Sequence, residues 1–162
     1  MFDKDAYVSV QFPGGNIQVY TVSSLLSYFK GSTDDKKVKI LGKNRMYTEL
    51  TKIEEQRVKS LGWKEVVFGN GLEGSFLVYK DTLIFSENRG LVKVEDLRVG
   101  DLLYRYNQDS VISNDSMKVP YKLEAVREIK DVPVKDRVGL PAYVLGTADG
   151  SFLVDDFLFG GF

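Results

Sequence analysis

The sequence predicts an all-β fold with few, short helices, and three observations carry that reading. Short runs of alternating apolar and polar residues recur along the chain, turns rich in Gly, Asn and Asp punctuate them, and no long amphipathic segment alternates with the strands. The last point argues against a doubly wound parallel sheet.

In chain order, Tyr7-Val8-Ser9-Val10 alternates, Pro13-Gly14-Gly15-Asn16 turns, and Ile17-Gln18-Val19-Tyr20 alternates again, which predicts a hairpin. Thr21 to Ser24 stands before Leu25-Leu26-Ser27-Tyr28-Phe29, so a Ser/Thr cap opens a short helix and Gly31 is a stop signal. Residues 30–37 read as a solvated loop and Val38-Lys39-Ile40 as a short strand. Between Asn44 and Leu61, Met46, Leu50, Ile53 and Val58 are loosely helix-spaced while Thr48 and Thr51 favour strand, and both assignments stay open. Strands follow at Trp63–Phe68, Ser75–Tyr79, Leu83–Phe85 and Leu91–Val94, with a helical turn at Glu95–Leu97. Leu102–Tyr106, Tyr121–Ile129, Val132–Val138, Tyr143–Leu145 and Ser151–Phe159 complete the set. The aperiodic polar stretch 107–117 predicts an exposed, mobile loop.

Composition narrows the chemistry. The 162 residues contain 22 Lys plus Arg against 23 Asp plus Glu, a balance unlike that of proteins living on nucleic-acid phosphates or anionic lipid. No apolar run is long enough to span a bilayer and no signal segment opens the chain, so a cytoplasmic location is expected. There is no Cys and no His. Thiolate nucleophiles, Cys/His zinc sites and imidazole acid–base catalysis are therefore excluded, and no metal or cofactor is expected.

One internal repeat stands out: Gly74-Ser75-Phe76-Leu77-Val78 returns as Gly150-Ser151-Phe152-Leu153-Val154, each copy preceded by an acidic residue. The interval from Gly74 to Gly150 is close to half the chain, so two copies suggest two related halves of one fold and not a solenoid.

Taken in order, these pieces resemble the Hint superfamily of inteins and hedgehog autoprocessing domains. Met1 to Val8 is similar to the first intein block, and Ile17 to Leu26 to the strand and turn after it. Glu73 to Thr82 resembles the block that carries Thr-x-x-His. Gly90 to Leu103 contains the Leu-x-x-Gly-Asp element as Leu97-Arg98-Val99-Gly100-Asp101. Ala142 to Leu145, then Ser151 to Gly161, resemble the last two blocks. The resemblance implies one Hint-like domain over residues 1–162, with halves related by a pseudo-twofold.

The resemblance also locates the reactive positions, and there the sequence departs from it. Met1 stands where Cys or Ser would attack the preceding carbonyl. Tyr79 and Thr82 stand where Thr and His would assist, Gly160 and Gly161 where His and Asn would be, and Val144 near a position often held by Asp. Each replacement removes a nucleophile, an acid–base group or the cyclising amide. If Met1 is the initiator and Phe162 the last residue, the expectation is that nothing is left to splice.

Other candidates read as structural. Ser75 and Ser151 are turn hydroxyls without a base. Asp81, Asp96, Asp101, Asp155 and Asp156 could pair or bind a hard cation, but Gly100-Asp101 reads as a turn whose carboxylate takes local amides, and Asp155-Asp156 as a hairpin tip. Asn70-Gly71 and Asp149-Gly150 are turn dipeptides. The basic stretch Lys36–Arg45, interleaved with acids, reads as a solvated face. Tyr104, Tyr106, Phe159 and Phe162 are candidate interface residues.

The sequence therefore points to a degenerate, non-splicing Hint domain that serves as an interaction or structural module, with a protein partner or self-assembly and no nucleic acid or membrane. A phage virion or assembly component suits it, placed in the host cytoplasm or the virion. The alternatives are an intein with residues altered at the splice junctions, native or engineered, and an unrelated β-barrel with binding activity and a chance resemblance.

Overall fold

Hairpins set the layout. The computed structural model describes residues 1–31, 37–58, 62–69, 74–106, 121–133 and 140–161. Strands β1 (Tyr7–Gln11) and β2 (Ile17–Thr21) pair antiparallel around a turn in which Gly14 and Gly15 take positive φ of 97° and 92°. Alternation drives Val8 and Val10 inward. Helix α1 (Val22–Gly31) starts where Thr21 Oγ1 accepts the Ser24 N–H at 3.2 Å, the N-cap that the Ser/Thr signal predicts. It buries Val22, Leu25 and Leu26.

β3 (Lys39–Leu41) and a 3₁₀ turn at Lys43–Arg45 lead to β4 (Tyr47–Arg57). The ambiguous segment is thus a long strand. Leu50 and Ile53 are both buried at a spacing of three because the pairing skips Thr51: Thr147 pairs Leu50 and Gly146 pairs Lys52. One bulged residue moves the inward face by one position and imitates a helical period.

β5 (Trp63–Phe68), β6 (Gly74–Tyr79), β7 (Leu83–Ser86), β8 (Gly90–Lys93), a 3₁₀ turn at Val94–Asp96, β9 (Leu102–Tyr106) and β10 (Tyr121–Asp131) follow. β11 (Pro141–Thr147), β12 (Ser151–Val154) and β13 (Phe157–Gly160) close the chain. The strand expected from Val132 does not begin there. β10 ends at Asp131, and Pro133 has no N–H for a ladder. Residues 134–139, the loop expected at 107–117, Asn70-Gly71 and most of the loop expected at 30–37 lie outside the described residues.

The strands form two antiparallel sheets, ordered β11-β4-β3-β1-β2 and β12-β13-β7-β9-β10-β5-β6, with β8 added on β7. The two halves repeat each other at the interval that separates the two Gly-Ser-Phe-Leu-Val segments. Val10 pairs Gln18 and Ile40, and its counterpart in the second half, Ser86, pairs Gly90 and Leu103. Ile53 pairs Leu145, and its counterpart Ile129 pairs Val66. The β10 bulge at Arg127 matches the β4 bulge at Thr51. The repeated segments themselves open β6 and β12. The halves exchange their long strands: β4 pairs with β11 and β10 with β5.

The core lies between the sheets. Phe2, Val8, Val10, Leu25, Ile40, Val66, Val78, Ile84, Leu103, Phe152, Phe157 and Phe159 belong to one buried cluster. Phe76 packs on Phe157 and Phe159, with centroids 4.6 and 5.9 Å away, while Phe152 meets Phe2 at 5.8 Å. Phe76→Ala and Phe152→Ala, at equivalent positions of the two halves, are each expected to cost about 3–5 kcal/mol in urea unfolding. A loss under about 1 kcal/mol for either would show that its ring does not carry the shared core.

Candidate functional site

A cleft of about 290 Å³ gathers residues from both ends of the chain and the middle: Met1, Phe2, Gln56, Asp81, Thr82, Leu83, Val144, Leu145, Phe152, Gly160 and Gly161. The N-terminal segment reaches it as a backbone insert. Phe2 donates its N–H to Tyr143 O at 2.8 Å and accepts from the Tyr143 N–H at 2.9 Å, and it also bridges Val78. Its ring meets Phe152 and Phe159 edge-on. Phe2 therefore anchors Met1 at the mouth.

Met1 is held at both ends of its backbone. Its carbonyl accepts the Tyr79 N–H at 3.0 Å, and its nitrogen is hydrogen-bonded to Thr82 Oγ1. Burial pushes the Met1 α-amino group down to about 6, with the Asp81 carboxylate pulling the other way. The turn Tyr79-Lys80-Asp81-Thr82 makes this contact because Thr82 N–H donates to Tyr79 O at 3.1 Å, curling the hydroxyl back towards Met1. The Tyr79 ring lies edge-on to Trp63 at 5.7 Å, in the small apolar cluster against which Met1 packs.

On the opposite wall, Gly160 ends β13 and Gly161 takes φ of 114°, with its N–H donated to Gly150 O at 3.0 Å. A Cβ on Gly160 would lie 2.8 Å from Phe85 Cε2 and 2.9 Å from Leu91 Cδ1. A larger side chain there has to displace two packed apolar groups.

Met1, Thr82, Val144, Gly160 and Gly161 thus share one cleft, while Tyr79 contributes its backbone N–H. Gln56 and Phe152 were not singled out by the sequence. Gln56 enters because β4 pairs with β11 opposite Ala142, a long-range register that no local pattern announces. Phe152 was visible only as part of the repeat.

A second cleft of about 390 Å³ is the pseudosymmetric counterpart. Asp5, Ala6, Tyr7 and Phe76 line it where their counterparts one repeat later, Asp81, Thr82, Leu83 and Phe152, line the first. Ser75, Arg105 and Asp155 also face it. The Asp155-Asp156 turn joins β12 to β13 with φ of 52° and 69° and locks onto β1: Tyr7 N–H donates to Asp155 Oδ1 at 3.0 Å and Tyr7 Oη to Asp156 Oδ2 at 3.1 Å. Burial raises the Asp155 carboxyl to about 6, against the Tyr7 N–H and with Asp156 and Asp3 adding to it.

The remaining candidates fall into structural places. Asp101 accepts the Arg98 N–H at 2.8 Å and the Asn88 side-chain amide at 3.1 Å, the local turn role expected of Gly-Asp. Ser75 is exposed, whereas Ser151 is buried, its hydroxyl donating to Asp149 Oδ1 at 2.7 Å. Phe159 is corrected: at 1% exposure between Phe2 and Phe76 it is core and cannot meet a partner. Tyr104 and Tyr106 are half-buried, and Phe162 lies outside the described residues. Lys37 in the basic stretch faces Glu49 at 3.9 Å. Among the described residues no three acidic side chains are grouped to hold a metal, and no helix is long and apolar enough to cross a membrane.

Solved structures share this fold. The transcription factor IIB Mvu mini-intein superposes with a TM-score of 0.72 at 18% identity, covering 99% of this chain and 98% of its own. An intein from a hyperthermophile gives 0.71 at 14% identity over 98% of both chains. The VidaL intein, as a selenomethionine variant, gives 0.70 at 15% identity over 99% and 95%. This chain has the Hint fold. At these identities the likeness is one of fold, and neither a protein-family profile nor a curated protein matches the sequence. In this Hint domain, the two ends of the described chain and the Tyr79–Thr82 turn meet at one cleft.

Two expectations follow. Gly160→Ala should lower stability by about 1–3 kcal/mol through crowding of Phe85 and Leu91, measured by thermal or urea unfolding; an unchanged midpoint would mean the wall yields freely. Because the folded Asp155 pKa lies above the unfolded value of 3.8, the native state holds the extra proton between the two. Its contribution therefore declines as pH rises from about 4 to about 6 and is level above that. Asp155→Asn should flatten that part of the stability profile; an identical profile in the variant would refute the assignment.

Proposed function

We propose that this Hint domain does not process its own backbone and serves as an interaction or structural module. The observation that supports the reading is the content of the first cleft. At the positions where the Hint resemblance expects a nucleophile, a proton donor and a cyclising amide, the cleft has Met1, Thr82, Gly160 and Gly161, with the Asp81 carboxylate and the Gln56 side-chain amide beside them. A thioether cannot take up an acyl group, and Thr82 has no imidazole anywhere in the chain to activate it. The architecture persists without the chemistry, so selection for shape is the simpler account. A phage particle or its assembly apparatus is a setting in which a small inert module of this kind would act.

A second reading, an intein altered only at its junction positions, draws support from the hold on Met1 by Tyr79 and Thr82. One experiment separates them. The chain is placed between two reporter proteins and followed by intact mass, beside a variant carrying Met1→Cys, Thr82→His, Gly160→His and Gly161→Asn. The proposal expects the unsubstituted fusion to stay a single intact species over a day at neutral pH. An excised chain, a ligated reporter pair or a cleaved reporter from the unsubstituted fusion would overturn it.

A further inference from the structure

Around β12 and β13 the second sheet is apolar on both faces, and one of them is the main core. Along β12 and β13 every residue is buried. Phe152, Val154, Phe157 and Phe159 turn inward into the main cluster. By alternation Leu153 and Leu158 turn outward, and they pair with each other. An antiparallel sheet with one face in solvent normally puts polar residues there. Here the outward neighbours continue the apolar surface across the sheet. Phe85 pairs with Leu91 on β7 and β8, and Tyr104 with Leu123 and Tyr106 with Tyr121 on β9 and β10. Leu153 and Leu158 form a small buried cluster with Leu41 of β3, on which Tyr47 of β4 and the rings of Phe85, Tyr104, Tyr106 and Tyr121 pack, while Leu91 on β8 and Leu123 on β10 stay exposed at its flanks, at 44% and 43%.

The strand positions of this face are one-sided in charge, and the carboxylate at its border, Asp149, is taken up by the Ser151 hydroxyl and N–H. Among the described residues, no outward strand position on β7, β8, β9, β12, β13 or the Tyr121–Ala125 part of β10 holds a carboxylate, in a chain with as many acids as bases. Three cations border it. The Lys43 ammonium stands 6.0 Å over the Phe85 ring, Arg45 is close enough to act on the Tyr106 phenol, and Lys93 shares the face with Leu91. The carboxylate acting on Tyr106, Asp156, is engaged by Tyr7.

We propose that this outer face docks an acidic segment of a partner protein, one whose carboxylates alternate with aliphatic or aromatic side chains. The inference rests on the reading of the domain as an interaction module and names the partner's chemistry. A second copy of the chain is the poorer occupant, since a self-complementary contact would press Lys43, Arg45 and Lys93 towards their own counterparts. Single-stranded nucleic acid is poorer too. The exposed residues are leucines at the flanks, Leu91 and Leu123, which offer no stacking, and Tyr104 meets Tyr121 edge-on, at 5.6 Å and 69°, instead of presenting a flat platform.

The test pans a displayed library of short random peptides against the full chain, in parallel with the Lys43→Glu/Arg45→Glu/Lys93→Glu variant. Circular dichroism and the thermal midpoint check that the variant is folded, and Tyr106→Ala and Leu123→Ala serve as apolar probes. The expected result is enrichment of peptides with net negative charge and several aliphatic or aromatic residues. Their synthetic versions should bind the chain at least about tenfold more tightly than the charge-reversed variant, and more weakly as salt rises. Loss of Leu123 should also weaken them. Enrichment of basic or uncharged peptides, no enrichment, or equal binding by the variant would overturn the proposal. So would tighter binding of a short oligothymidylate, or concentration-dependent dimers in light scattering that the charge reversal abolishes. Failure here leaves the fusion experiment untouched, since that measures processing and this measures docking.

Discussion

The exchange of long strands between halves is the constraint on which the rest of the molecule depends. β4 finds its partner in β11 and β10 finds its partner in β5, so neither half can complete its sheet alone. Both long strands carry a bulge, at Thr51 and Arg127, which bends each strand and rotates its apolar side onto the shared core. That crossing leaves two related clefts where the strand ends splay, one on each side of the pseudo-twofold. The N-terminal residues thread into one of them through the Phe2 backbone bridges, and the last strand closes its other wall.

The two clefts show how a duplicated framework diverges by side chain alone. Thr82 and Ala6 occupy equivalent positions, yet only the former offers a hydroxyl to the backbone at Met1. Gly160 lines the first cleft with its backbone, while a Cβ on it would meet Phe85 and Leu91 on the other face of the sheet. In the second cleft the Asp155-Asp156 turn locks onto Tyr7, a tie between the last hairpin and the first strand. The same hairpin turns Leu153 and Leu158 away from the main core into a second buried cluster with Leu41, so the C-terminal strands serve two cores.

Much of this was legible in the residues. Alternation and turn signals marked nearly every strand of the described chain, and Thr21 marked the helix start. The Gly-Ser-Phe-Leu-Val repeat announced the halves, because equivalent places in a duplicated fold ask for the same small residue, turn hydroxyl and core ring. The absence of Cys and His settled which chemistries the cleft lacks before its shape was known. Met46 to Val58 was not legible, since a single bulge gives a strand the spacing of a helix. Phe159 was misjudged as surface because a continuous apolar run does not say which of its faces is covered.

From the amino acids alone came the fold class, the duplication and the inventory of reactive groups, all properties of local pattern or of composition. The tertiary structure alone decided that Gln56 joins Met1, Thr82 and Gly160, and which face of the last hairpin looks away from the main core. Those facts arise from strand pairings between residues scores of positions apart, and such pairings are selected by how the two halves bury each other's apolar surface, which no short window of sequence records.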